Sequence, residues 1–186
     1  LNIYDYLDEM AASLPPGSDG LVAIDYMQGR FFPPNPSIRG LFIGQTWAHK
    51  KIHFYRAILE SIAYDHYLTK EIIKELVPDL GLDVITAIGS AAKSKVWMQM
   101  KSDILQVPYQ NLFRSDLSTL GSAIIAGYST GLYKDFSSDL KRIIKTDLVI
   151  FPEKDGQKKY LKYIEVYNDL FFALKDIYKK LAAAGD

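Results

Sequence analysis

Helical and strand periods alternate along this chain. Ile3, Leu7, Met10, Ala11 and Leu14 recur at helical spacing up to Pro15-Pro16-Gly17, which predicts a helix over 3–14. The run 21–26 is β-rich. The segment 29–36 carries three prolines, which forbid a regular helix or a central strand and predict an ordered loop. A short strand is expected at 41–43, then a long helix over 49–76 with Ile52, Tyr55, Ile58, Leu59, Ile62, Ala63 and Tyr67 toward the core. Val77-Pro78 ends that helix.

From there the periods predict strand 84–88, helix 93–106, strand 109–113 and helix 117–130, with Gly131 suited to a left-handed cap. A short helix over 136–143 and an extended piece over 148–151 follow. The chain closes with a helix over 157–183 whose Tyr160, Tyr163/Ile164, Tyr167, Leu170/Phe171, Leu174 and Ile177/Tyr178 form one stripe. Strand and helix in alternation predict an α/β fold with right-handed crossover helices. No repeat, linker or low-complexity tract marks an internal boundary.

Composition changes this picture only by exclusion. With 48% hydrophobic and 24% charged residues, 186 residues can bury a sizeable core. Lys plus Arg equals Asp plus Glu at 22 each, so no basic field argues for nucleic acid. The absence of cysteine removes disulfides and thiol catalysis. No apolar run approaches the roughly 20 residues of a membrane span, no secretory pattern opens the chain, and a cytoplasmic setting is expected.

The densest chemistry lies in 84–104. A β-run breaks into the small-residue turn Gly89-Ser90-Ala91-Ala92-Lys93-Ser94 and opens directly into an amphipathic helix. At such a junction free backbone N–H groups and the positive end of the helix dipole converge, and small side chains admit a phosphate or ribose. This turn, the Arg56-Ala57-Ile58-Leu59-Glu60-Ser61-Ile62-Ala63 helix and the Asp116-Leu117-Ser118-Thr119-Leu120-Gly121-Ser122-Ala123 helix stand in a specific order. So do Gly20-Leu21-Val22-Ala23-Ile24-Asp25-Tyr26, Asn35-Pro36-Ser37-Ile38-Arg39-Gly40 and Gly131-Leu132-Tyr133. Together they resemble the C-terminal, ATP-binding domain of the FGGY carbohydrate kinases, over nearly the whole chain.

That resemblance implies a ribonuclease H-like domain of the actin-like ATPase superfamily. It implies the nucleotide-binding part of a kinase that uses ATP and Mg²⁺ to phosphorylate a pentulose or a related polyol or aldonate. Gly89, Ser90, Ala91 and Ser94 are its candidate nucleotide contacts, with no catalytic residue and no metal ligand assigned. The family's sugar domain, catalytic aspartate and Gly-Thr-Ser/Thr phosphate hairpin are expected upstream of Leu1. By this reading, 1–186 is an N-terminally incomplete domain, inactive alone, that meets its sugar through the upstream domain. An open strand edge favours a homo-oligomer.

Where the family usually has Gly-Gly-Gly-Ala, this chain has Gly89-Ser90-Ala91-Ala92. If Ser90 had to adopt a left-handed conformation, the cost would be about 1 kcal/mol. A non-catalytic actin-like or regulatory protein with a degraded nucleotide site is therefore the alternative, and another nucleotide-dependent α/β transferase a third.

Elsewhere structural roles are expected. Arg56 and Glu60 are spaced for an i,i+4 ion pair of a few tenths of a kcal/mol. His49 and His53 share that spacing without a third metal ligand and read as solvated surface residues. Asp116 is placed to cap the helix that follows. Gly121, Ser122, Ala123 and Ala126 suit close packing of that helix on a sheet, and Trp97 and the tyrosine stripe suit the core.

Overall fold

One long helix packs on a two-stranded sheet and on the helix that backs a three-stranded sheet. The structure, a computed structural model, describes residues 2–113 and 116–184. In chain order the elements are α1 (Ile3–Ala12), β1 (Val22–Ile24), β2 (Leu41–Ile43), α2 (Lys51–Leu76), β3 (Ile85–Ala87), α3 (Lys95–Leu105) and β4 (Tyr109–Leu112). Then come α4 (Leu117–Ser129), α5 (Phe136–Ile143), β5 (Thr146–Ile150), α6 (Leu161–Ala173) and α7 (Lys175–Ala184). β1 and β2 form an antiparallel pair with Ala23 opposite Phe42. In the other sheet β4 is central, parallel to β3 and antiparallel to β5, in the order β3-β4-β5. The parallel pair is joined through α3, so the expected strand–helix–strand unit is present.

α2 packs against α1, α3, α6 and β1. The main core gathers Val22 and Ile24 of β1, Ala63 and Tyr64 of α2, Met98 and Ile104 of α3, Tyr109 of β4, and Tyr160, Ile164 and Tyr167 around α6. Tyr64 and Tyr167 meet edge to face with ring centroids 5.7 Å apart. The expected tyrosine stripe is thus core, with Tyr160, Tyr167 and Tyr178 buried.

Three expectations about the helices need correction. The single closing helix is divided into a 3-10 turn at Gln157–Lys159, α6 and α7, with the ladder loosening at Leu174 (φ −96°, ψ −1°). Neither glycine nor proline stands there, so spacing carried no sign of the break. The buried face of α2 is also rotated from the apolar stripe. Ile52, Ile58 and Ile62 are half-buried, while His53, Arg56, Glu60, Ser61 and Lys70 are enclosed. The third concerns α4, which buries only Ile124 and Gly127, with Ser122, Ala123 and Ala126 exposed. The Tyr133 ring fills the space at Gly127, so α4 leans on the segment that follows it rather than on a sheet through its small residues.

The polar residues inside α2 explain its rotation. Arg56 Nε donates to Glu60 Oε1 at 2.7 Å, its Nη1 to the Ala11 carbonyl at 2.6 Å and its Nη2 to the Tyr160 hydroxyl at 3.2 Å. Glu60 also accepts from the Gly17 N–H and the Ser18 hydroxyl, each at 3.0 Å. The expected ion pair exists, yet it is 5% and 1% exposed and joins α1, the 17–20 turn, α2 and the start of α6. That turn needs the help. Gly17, Ser18 and Asp19 have consecutive φ values of 83°, 49° and 55°, a left-handed run that L-residues adopt at a cost. Lys70 is tied down similarly, donating to the Leu105 carbonyl at 2.7 Å. Lys101 stacks over Trp97 at 3.5 Å, and burial pushes its ammonium down to about 8.

Burial raises the Glu60 carboxyl above its ordinary 4.5, while the Arg56 guanidinium opposes the rise. A carboxyl raised on folding makes stability fall as pH climbs above the unfolded value. Removing Arg56 enlarges that effect, because Glu60 is then a buried charge without its counter-ion. Arg56→Met is expected to cost about 3 kcal/mol at neutral pH. The loss should shrink as pH is lowered toward 4.5 and Glu60 takes up a proton. Urea unfolding of both forms at the two pH values checks this. A loss independent of pH would contradict it.

Candidate functional site

The turn after β3 is built around one glycine. Gly89 adopts φ 82°, ψ −173°, a region that is essentially glycine-only, and an added Cβ would meet nothing within 4 Å. Ser90–Lys93 then form a 3-10 turn in which Ala92 N–H donates to the Gly89 carbonyl at 3.3 Å and Ser94 N–H to the Ala91 carbonyl at 3.2 Å. Ser94 is the N-cap of α3, accepting from Trp97 N–H at 3.1 Å, so its own hydroxyl proton is free to point outward. Among the described residues, positive φ at a non-glycine occurs only at Ser18, Asp19 and Gln106. The strain considered for Ser90 therefore does not arise, because the left-handed step falls on the glycine that this chain retains.

This turn stands beyond the carboxyl end of the parallel β3–β4 pair, where open α/β sheets bind their ligands. It partitions two cavities. A larger one of about 420 Å³ holds Ser90, Ala91, Ser94 and Trp97 on one wall and Tyr4, Asp5, Asp8 and Tyr55 on the other. A smaller one of about 200 Å³ lies on the other side, against Gly89, Ala92, Asn111 and Asp147, with Lys93 on both. Three of the four site residues expected from the sequence thus face the larger cavity together, and Gly89 faces the smaller.

The opposite wall belongs to α1 and α2. Asn2 caps α1, accepting from Tyr4 N–H at 3.2 Å. Tyr55 donates its hydroxyl to Asp8 Oδ1 at 2.9 Å. Burial, then the Asp8 carboxylate, pushes the Tyr55 phenol well above its ordinary value, so it remains a donor. Trp97 Nε1 donates to the Leu59 carbonyl at 2.9 Å, which fixes the indole plane between α2 and the cavity. Charge is divided across the space, with carboxylates on α1 and Lys93 with the N-terminus of α3 opposite. Sequence reading missed Tyr4, Asp5, Asp8 and Tyr55. Asp5 and Asp8 share a helix face by their i,i+3 spacing, but nothing in the chain signals that α1 closes on a turn some 85 residues later.

The remaining candidates are structural. His53 is buried rather than solvated: its Nδ1 accepts from Lys50 N–H at 3.0 Å, leaving Nε2 to donate to Asp19 at 3.2 Å. His49 Nδ1 accepts from Thr46 N–H at 2.8 Å, and the two rings meet at 5.2 Å. Asp116 caps α4 through Thr119 N–H at 3.2 Å, as expected. Among the described residues no group of three or more His, Cys, Asp or Glu could hold a metal. Nor is any helix there long and apolar enough to cross a membrane.

Gly89→Ala should destabilise the chain by roughly 1–3 kcal/mol through the backbone alone, since its Cβ would find open space. Gly121→Ala, also in open space but inside α4, should be neutral or stabilising by up to about 1 kcal/mol. Denaturant midpoints of the two variants make the comparison. Equal effects would remove the conformational argument for Gly89.

Comparison with known proteins places this geometry. The chain is 32% identical over 175 residues to a xylulose kinase of Staphylococcus epidermidis, covering 94% of this chain and 35% of the relative. It is 34% identical over 180 residues to a gluconokinase of Bacillus subtilis, covering 96% and 35%. Among solved structures, ligand-bound xylulose kinase from Lactobacillus acidophilus superposes with a TM-score of 0.78 at 27% identity, over 95% of this chain and 36% of that one. The chain thus spans about a third of the length of these relatives, and its fold is the actin-like ATPase fold they share. Residues 2–130 match the C-terminal domain of the FGGY family of carbohydrate kinases, and the chain belongs to that family.

Proposed function

We propose that this chain is the nucleotide-binding part of an ATP-dependent carbohydrate kinase that phosphorylates a hydroxyl of a pentulose or a related polyol or aldonate. The observation that carries the reading is the Gly89 turn, set at the carboxyl end of the parallel strands with Ser90, Ala91 and Ser94 on one wall of an open cavity. Family membership and the relatives named for xylulose and gluconate support the substrate class. Phosphoryl transfer relies on positioning and charge neutralisation, and ATP when bound supplies the transferred group. The part played by these residues is to seat the nucleoside. Ser90 and Ala91 let it approach the turn, and the Ser94 hydroxyl and the first N–H groups of α3 offer donors.

The same geometry speaks against a degraded site. Ser90 and Ala91 sit in a 3-10 turn with no positive φ between Gly89 and the start of α3, so neither residue bears the backbone strain that a left-handed position would impose. The described residues form no metal cluster, and Mg²⁺ enters this reading together with the nucleotide phosphates. In the proposal, the sugar site, the catalytic base and the remaining phosphate contacts come from other parts of the complete polypeptide.

In that polypeptide, Ser90→Leu should raise the Michaelis constant for ATP at least about tenfold, roughly 1.4 kcal/mol, and leave that for the sugar little changed. Steady-state kinetics with each substrate varied in turn is the check. Unchanged ATP kinetics in a folded, active enzyme would show that the turn is not the nucleotide wall.

A further inference from the structure

The wall of the larger cavity opposite the turn has its own chemistry. Asp8 is half-buried, and one of its oxygens is occupied by the Tyr55 hydroxyl at 2.9 Å. Among the described residues Oδ2 of Asp8 and both oxygens of Asp5 have no hydrogen-bond or ion-pair partner, although both residues line the cavity. An ionised carboxylate only accepts hydrogen bonds. This wall therefore repels phosphate oxygens and attracts groups that carry N–H or O–H. A nucleotide offers such groups only at its nucleoside end, on the base amino group and the ribose hydroxyls. The donors lie across the cavity on Ser94 and the α3 N-terminus, and Trp97 and Tyr4 add aromatic surface for the flat base.

We infer that Asp8, oriented by Tyr55 and accompanied by Asp5, is a specificity-determining residue that accepts a hydrogen bond from a donor group of the nucleoside, either the adenine amino group or a ribose hydroxyl. The inference rests on the nucleotide reading of the Gly89–Ser94 turn. It adds that α1 chooses which nucleoside occupies the cavity and directs the phosphates away from its carboxylates. Tyr55 is a positioning residue. Its hydroxyl fixes one carboxylate oxygen and leaves the other to face the ligand.

Removing the ligand's donors and the protein's acceptor in turn tests this by calorimetric titration of the complete polypeptide. The ligands are ATP, purine riboside triphosphate, which lacks the amino group, 2′-deoxy-ATP and 3′-deoxy-ATP. The proteins are wild type, Asp8→Asn, Asp8→Ala and Ser90→Leu, with melting temperatures to show that each is folded. Wild type should bind at least one donor-deleted analogue about tenfold more weakly than ATP. Asp8→Ala should abolish that preference by weakening ATP alone, and Asp8→Asn should reduce it in the same direction even if the Ala variant fails to fold. The analogue affected identifies whether the base or the ribose is read.

If Ser90→Leu blocks ATP binding while the Asp8 variants keep the wild-type pattern of preference, the acceptor-wall inference is overturned and the turn reading stands. If Ser90→Leu binds ATP as wild type does, both are overturned.

Discussion

One buried ion pair sets the geometry on which the rest of this molecule depends. Arg56 and Glu60 occupy adjacent turns of α2, and between them reach the end of α1, the left-handed 17–20 turn and Tyr160 at the start of α6. A buried pair of this kind is weak evidence for stability, because desolvation offsets most of the Coulomb attraction. Its effect here is positional. The guanidinium is forked among three acceptors, and a forked donor tolerates little displacement of any of them. The carboxylate satisfies two donors in a turn whose consecutive positive φ values carry a backbone cost.

The candidate site inherits that geometry. α1 is held at its carboxyl end through Ala11, close to the start of the turn that Glu60 fastens, and at its other end it faces Ser90–Ser94. α2 contributes to both ends, with Arg56 toward the core and Tyr55, one residue earlier, toward the cavity. The two walls are thus carried on rigid helices, and only the Gly89 step between β3 and α3 requires an unusual backbone. Rigid walls around a cavity fit a site that positions a nucleotide, which is the main demand phosphoryl transfer makes of a protein.

The sequence made much of this legible, for reasons that can be named. The strand–turn–helix unit at 84–105 could be read because its signals are local, a β-run followed by small residues and an amphipathic helix. The Asp116 cap and the tyrosine core were local in the same sense. The buried roles of Arg56, Glu60 and His53 were not visible, because a charged residue in a helix looks the same whether water or Gly17, Ala11 and Asp19 surround it. The break at Leu174 leaves no glycine or proline behind. The wall formed by Asp8 and Tyr55 is a meeting of distant segments, which no periodicity encodes. The residues to which the family resemblance pointed line one side of the cavity, and the other side is formed by helices distant in sequence.

The central claim is that α1 and the turn after β3 are two walls of one nucleotide site. Amide hydrogen exchange on the complete polypeptide, with and without a non-hydrolysable ATP analogue, tests it most directly. The account predicts added protection at 89–96 and, in the same experiment, at 4–8 and around Tyr55. Protection confined to segments outside these, or at the turn with α1 unaffected, would contradict it.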